Sequence, residues 1–184
     1  VDENNTDRYQ WVKDRKTFAQ AKAHAESLGG HLATITSAAE NNAIYAIVSE
    51  GFNSNSRDTL GYAQDGGGSV YVWLGADDTE TEGTWKWHTG ESFDYENWGS
   101  VEPDNNLGLQ DALGIALEDW PYANPTKIGN ASEWNDINAD NALTFVVEFL
   151  PSNDDILLVK TDANGNTSWQ KTFGDKLDDD VFEV

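Results

Sequence analysis

Glu102-Pro103-Asp104 and Trp134-Asn135-Asp136 are two short clusters of oxygen-bearing side chains, one beside a proline and one behind a tryptophan. Calcium is a hard cation that takes about six to eight oxygen ligands from carboxylates, amide and backbone carbonyls, and water. Glu102, Asp104, Asn135 and Asp136 carry such oxygens, so the clusters predict a loop-built cation cage wherever the fold brings them together. A cation held partly open to solvent can coordinate a ligand as well.

The elements that must position these clusters are legible around them. Arg8-Tyr9-Gln10-Trp11-Val12 reads as an opening strand. Thr17 and Gln20 make an S/T-x-x-Q capping box, and Phe18, Ala21, Ala25 and Leu28 then fall on one helical face. Gly29-Gly30 offers the left-handed cap that ends this helix. After the apolar run from His31 to Ile35, Ser37 and Glu40 make a second capping box. Its helix turns Ala43, Ile44, Ile47 and Val48 inward and stops near Gly51, and both helices are expected to pack on a sheet. Residues 51–69 are rich in Gly, Ser and Asn, the composition of a loop. Val70-Tyr71-Val72-Trp73-Leu74-Gly75 is a strand, as are residues 84–87, 112–117 and 143–149, and Pro151 marks the domain's end. Between Glu91 and Lys127 aromatic residues alternate with acids, amides and glycine over a long, mostly irregular stretch. A loop of that length inside a compact domain is usually functional.

Acidic residues number 33 against 11 basic ones, a formal charge of −22. That charge excludes nucleic acid, whose phosphates would be repelled, and it equally disfavours anionic membrane surfaces. It suits divalent cations or a saline medium, and it also serves plain solubility. Eight Trp, six Tyr and seven Phe supply a core, which argues against global disorder. Cysteine is absent, so there are no disulfides and no thiolate metal sites. No apolar run reaches the roughly eighteen residues of a membrane span, so no membrane insertion is expected. The chain starts at Val1 and has no methionine, which suggests an excised part of a longer precursor.

Residues 151–184 read as a second unit. Ile156-Leu157-Leu158-Val159-Lys160 leads through an Asn164-Gly165 turn into Ser168-Trp169-Gln170-Lys171-Thr172-Phe173, the signature of a β-hairpin. An EF-hand over the Asp162 to Asn166 run fails, because Thr167 and Phe173 stand where glycine and an acid are needed. Residues 178–184 read as the start of a further strand.

Taken in order, these features resemble the C-type lectin domain over residues 8–150. The resemblance rests on Gly29-Gly30-His31-Leu32-Ala33, Val72-Trp73-Leu74-Gly75, Glu82-Gly83-Thr84-Trp85-Lys86-Trp87 and Tyr95-Glu96-Asn97-Trp98. It continues through Glu102-Pro103-Asp104, Trp134-Asn135-Asp136 and Phe145-Val146-Val147-Glu148-Phe149. It implies an α+β fold over residues 1–150, with two helices flanking antiparallel sheets and a long calcium-binding loop region, followed by the hairpin extension. The family's usual disulfides are missing; Ala112 stands where a cysteine commonly follows the acidic pair, so packing alone must hold the core. Cysteine-free members of this kind resemble bacterial ones.

Carried over by position, the family's sugar-binding Ca2+ site falls on Glu102, Asp104, Gln110, Asn135 and Asp136. Gln110 replaces a usual glutamate and Asp104 replaces the asparagine of mannose-type members, so three acids and two amides remain. In the family each of two vicinal hydroxyls coordinates the metal, donates to a carboxylate and accepts from an amide. The pairing here, with Glu102 and Asp104 accepting and Gln110 and Asn135 donating, matches neither the mannose-type nor the galactose-type pattern. Asp78, Glu82, Asn105 and Asp111 match an auxiliary calcium site, although such acids also serve as turn and capping residues. Among aromatic residues that stack on sugar faces, Trp120 and Tyr122 are the surface candidates and Trp98 belongs to the core.

The function implied is a calcium-dependent carbohydrate-binding module, secreted or at the cell surface, whose partner is a glycan or another vicinal diol. Catalysis is not expected: His24, His31 and His88 form no H-E-x-x-H, and there is no G-x-S-x-G. The competing reading is a structural or adhesive subunit without sugar binding, self-associating through the C-terminal strands by β-augmentation.

Overall fold

The computed structural model describes residues 8–150, 156–161 and 167–173. The chain forms two compact units that divide between Phe149 and Leu150.

In the first unit, β1 (Tyr9–Lys16) pairs antiparallel with β7 (Leu143–Glu148), opposing Tyr9 to Glu148. The sheet runs in the order β1-β7-β3-β5-β6, where β3 is Tyr71–Asp77, β5 is Ala112–Ala116 and β6 is Trp134–Ile137. Two short strands sit off this path: β2 (His31–Leu32) on β7 and β4 (Lys86–Trp87) on β3. Among the strands of the described residues β3 and β7 pair in parallel, and an isolated parallel bridge joins Trp98 to Trp134. Two helices with a mixed, mainly antiparallel sheet make an α+β fold, as the resemblance implies.

Alternation along the central strands explains the layering. Successive strand side chains point to opposite faces. Val72, Leu74 and Val146 enter one apolar cluster with Ile44 and Val48 of α2 (Ala38–Glu50). Tyr71, Trp73, Phe145 and Val147 enter the other, with Phe18, Ala21 and Ala25 of α1 (Phe18–Ser27). Each helix therefore covers one face of the sheet. Strands buried on both faces read as continuous apolar runs, which is why β3 and β7 were plain in the sequence.

The caps largely follow expectation. Thr17 and Gln20 form the reciprocal capping box of α1. At its other end Gly29 has φ 84°, and the Gly30 and Gly29 N–H groups return to the carbonyls of Ala25 and Glu26 at 3.1 and 3.0 Å. Leu28 was expected on the buried face but is 43% exposed, because it is the C-cap where the chain already turns away. Ser37 caps α2, whereas the Glu40 carboxylate reaches past it to the N–H and hydroxyl of Thr36, both at 2.7 Å. Residues 51–69 are not wholly loop: a 3-10 turn at Ser54–Ser56 leads into the one-turn helix α3 (Arg57–Leu60).

The long stretch after β4 is ordered by aromatic packing. Trp134 is fully buried, and Trp87, Phe93, Tyr95 and Trp98 approach its ring edge-on at 5.9, 6.0, 5.6 and 5.7 Å between centroids. Its indole N–H donates to Oδ1 of buried Asn41 on α2 at 2.7 Å. Trp98 is partly buried and packs against this core. The sequence pattern does not predict the strand β6, whose middle residues are the acid and amide pair Asn135 and Asp136.

In the second unit β8 (Ile156–Thr161) pairs antiparallel with β9 (Thr167–Phe173). The expected Asn164-Gly165 turn and the further strand at 178–184 lie outside the described residues.

Asn41→Ala leaves the Trp134 indole N–H buried without its acceptor, which costs about 1–3 kcal/mol. Urea unfolding should show a lower midpoint with an unchanged slope. A loss below about 0.5 kcal/mol would mean that this hydrogen bond does not anchor the loop.

Candidate metal and ligand site

β6 and the loop before it build the site together. The Trp134 N–H donates to the Asn97 carbonyl at 2.8 Å, and the Trp134 carbonyl accepts from Gly99 N–H at 3.0 Å. Residues 97–99 therefore lie along β6, and a further bond from Glu102 N–H to the Gly99 carbonyl, 3.1 Å, brings Glu102 beside the strand. The Glu102–Pro103 and Trp120–Pro121 peptide bonds are both cis. The Asp136 carboxylate then accepts from the backbone N–H groups of Asp104 and Asn105, at 3.2 and 2.6 Å.

The outcome is a three-carboxylate cluster: oxygens of Glu102, Asp104 and Asp136 all lie within 4.8 Å of one another. It is the one such group among the described residues. Oxygens around a calcium ion sit about 2.3–2.6 Å from it, so this spacing fits a shared ion. Asp136 is fully buried, Glu102 half-buried and Asp104 exposed, so one side faces solvent. A cleft of about 280 Å³ borders the cluster, lined by Gln64, Asp65, Glu102, Asp104, Gln110 and Asn135 among others. All five residues of the primary set thus converge on one region.

Three features mark the cluster as electrostatically unfavourable. Glu102 Oε2 and Asn135 Oδ1 are buried and have no hydrogen-bond partner. Burial pushes the Glu102 carboxyl up to about 7; the Trp120 indole N–H opposes this, and the nearby Asp104 and Asp136 add to it. Burial also raises Asp136, against the backbone N–H groups that its carboxylate accepts. Unpartnered buried acceptors are rare in native proteins, and a cation is one way to satisfy them.

Gln110 is buried with its amide engaged at both ends. Its Oε1 accepts from Asn106 N–H at 2.6 Å, and its Nε2 faces the carbonyl and carboxylate of Asp65, each at 3.3 Å. No sequence motif marks Asp65. A lone acid in a Gly-rich loop gave no periodic or motif signal, and only the fold carries it to this cleft.

The auxiliary set is also assembled in part. Asp78 is buried, with Oδ2 accepting from Gly83 N–H at 2.8 Å and Oδ1 unpartnered. Burial raises its carboxyl, and the charges of Glu82 and Asp111 add to the effect. The Asn105 amide donates to the Glu82 carboxylate, and its Oδ1 accepts from Gln110 N–H at 3.1 Å. Asn105 therefore links the two sets.

The aromatic pair departs from expectation. Trp120 is not a surface platform: it is 0% exposed, and Tyr71 meets its ring edge-on at 5.7 Å. The reason lies in two glycines. A Cβ on Gly99 or Gly129 would fall 2.4 or 1.9 Å from Trp120 Cζ2, so only glycine admits the ring there. Trp120 reaches the site through its indole N–H, which donates to Glu102 Oε1 at 3.2 Å. Tyr122 is exposed, but the Arg57 guanidinium already lies over its ring, 3.3 Å from the centroid.

Comparison with known proteins agrees with this architecture. The family model of the lectin C-type domain matches residues 14–149, and the chain belongs to that family. It is 28% identical to ladderlectin of Oncorhynchus mykiss over 134 residues, covering 73% of this chain and 57% of that protein. It is 26% identical to the alpha-N-acetylgalactosamine-specific lectin of Patiria pectinifera over 153 residues, 81% of this chain and 77% of that one. Among solved structures, the carbohydrate-recognition domain of the mouse scavenger receptor C-type lectin is 27% identical with a TM-score of 0.54, covering 77% of this chain and 88% of that chain.

The raised Glu102 carboxyl has a consequence for stability. In the unfolded chain a glutamate titrates near 4.3, so the folded protein holds this proton more tightly. Its contribution is therefore present at low pH and is lost as the pH rises towards about 7. In chelator, the melting temperature should fall between pH 5 and 7, and Glu102→Gln, uncharged throughout, should show a shallower fall. Parallel pH profiles by calorimetry would contradict the assignment.

Proposed function

We propose that this chain is a calcium-dependent carbohydrate-binding module that acts outside the cell or at its surface. Glu102, Asp104, Gln110, Asn135 and Asp136 hold Ca2+, and the ion's open side takes vicinal hydroxyls of a glycan. The observation that carries this reading is the pair of buried, unpartnered oxygens, Glu102 Oε2 and Asn135 Oδ1, beside a three-carboxylate cluster. A bound cation supplies both with a partner and offsets the repulsion among the acids. Carbohydrate as the ligand class draws support from relatives named as a sugar-specific lectin and as a carbohydrate-recognition domain. Asp78, Glu82, Asn105 and Asp111 supply a second oxygen site, for which the unpartnered Asp78 Oδ1 speaks. Tyr122 forms the exposed rim.

Isothermal titration of the chelator-stripped chain should show calcium uptake, weakened of the order of a hundredfold by Glu102→Gln because affinity follows ligand charge count. A glycan array should give signals that a chelator abolishes. No calcium uptake by the unaltered chain, or glycan signals indifferent to chelator, would overturn the proposal.

A second reading has its own observation. β8 and β9 form a sheet of two strands among the described residues, and such a hairpin is marginal alone. Its backbone edges suit strand addition to a neighbouring copy, giving an adhesive or filament subunit. Removing residues 152–184 should then lower the oligomer mass measured by light scattering, and an unchanged mass rules assembly through this unit out.

A further inference from the structure

The site contains two side-chain amides, and each could present either its oxygen or its nitrogen. Neighbouring groups decide which. Gln110 Oε1 meets the N–H of Asn106, which can only donate. Gln110 Nε2 meets the Asp65 backbone carbonyl and carboxylate, which can only accept. The amide therefore has one possible orientation, with its nitrogen turned to Asp65.

Asn135 is fixed by a relay. The Tyr71 hydroxyl donates its hydrogen to the Gly66 carbonyl at 2.8 Å. It then has only lone pairs for Asn135, whose Nδ2 donates to it at 2.9 Å. Oδ1 is the unpartnered atom. Tyr71, Gly66 and Asn135 are all buried, so water does not blur this assignment.

Both chains of hydrogen bonds end on consecutive residues of the Gly-rich segment before β3, Asp65 and Gly66. We infer that this segment is the positioning wall of the site: Asp65, acting on Gln110, and Gly66, acting through Tyr71 on Asn135, set both amides so that their carbonyl oxygens serve a cation. This inference rests on the calcium site proposed above. The same geometry changes the expected ligand chemistry. Gln110 Nε2 is turned to Asp65 rather than left free, so a hydroxyl bound beside Gln110 competes with Asp65 for its N–H groups.

Asp65 is exposed and also accepts from Asn138 N–H and Asn141 Nδ2, both at 2.7 Å. Asn141→Ala removes one of those structural bonds without touching Gln110, and it serves as the control. Side-chain amide NMR of the calcium-free full chain, with Gln110 and Asn135 assigned, reads orientation directly. Asp65→Ala should shift the Gln110 amide resonances and speed their solvent exchange, while Asn141→Ala leaves them in place. In calcium titrations Asp65→Ala should weaken binding roughly tenfold to a hundredfold, the range for outer-shell partners. Asn141→Ala should stay within about twofold, and Asp65→Asn should restore most of the affinity. Tyr71→Phe, which leaves Gln110 alone, should release the Asn135 amide and weaken calcium by a similar factor.

Unchanged Gln110 amide signals in Asp65→Ala overturn the inference, as does calcium affinity within about twofold of the unaltered chain. Equal losses in Asp65→Ala and Asn141→Ala overturn it too, by showing a merely structural effect. If the unaltered chain takes up no calcium while the NMR shifts occur as expected, it is the calcium proposal that falls, and the two failures are thereby told apart.

Discussion

Burial of Trp134 is the contact on which the rest of the loop region depends. The residue opens β6, so whatever fixes its ring and backbone also fixes the two polar residues that follow it. Its ring is enclosed by aromatic residues contributed by β4 and the irregular stretch after it, and its indole N–H is tied to Asn41 on a distant helix. Its backbone holds residues 97–99 along the strand edge. With no cysteine in the chain, no covalent link restrains this long segment. Aromatic area and a few buried hydrogen bonds do that work instead, each large ring removing a considerable apolar surface from water.

That rigidity lets the chain hold like charges together. Three carboxylates at such close range repel one another, and partial burial weakens the screening that water would provide. A flexible loop would relax by moving them apart. Here Asp136 is held on a strand, its oxygens bound by backbone N–H groups, while Glu102 is held by the indole of a tryptophan locked between two glycines. Protonation responds as well: burial is the main cause that raises the Glu102 carboxyl, and the charges of Asp104 and Asp136 add to it.

Much of the scaffold was legible because its signals are local. Thr17 with Gln20, and Gly29 with Gly30, act within one turn of chain, so capping chemistry could be read from spacing alone. β3 and β7 announce themselves as apolar runs because both their faces are covered. β6 did not, since only its ends are apolar and its middle carries the polar pair Asn135 and Asp136. Leu28 shows the limit of periodicity at a helix end, where the chain leaves the helical path before the next inward position. Trp120 was misplaced for a related reason. An aromatic residue next to a proline in an acidic loop looks exposed, and its burial depends on glycines at positions 99 and 129 that nothing nearby in the sequence connects to it.

The sequence by itself determined the family, the α+β architecture and the residue types gathered at the long loop, because these follow from local patterns and motif order. The tertiary structure alone decided which atoms those residues present. Whether Gln110 offers oxygen or nitrogen depends on Asp65, 45 residues earlier, and whether Asn135 does depends on Tyr71 and the Gly66 carbonyl beyond it. An amide is nearly symmetric in shape and opposite in hydrogen-bonding sense at its two ends. Its chemistry is therefore fixed by its neighbours in space, and those come from parts of the chain that no spacing rule brings together.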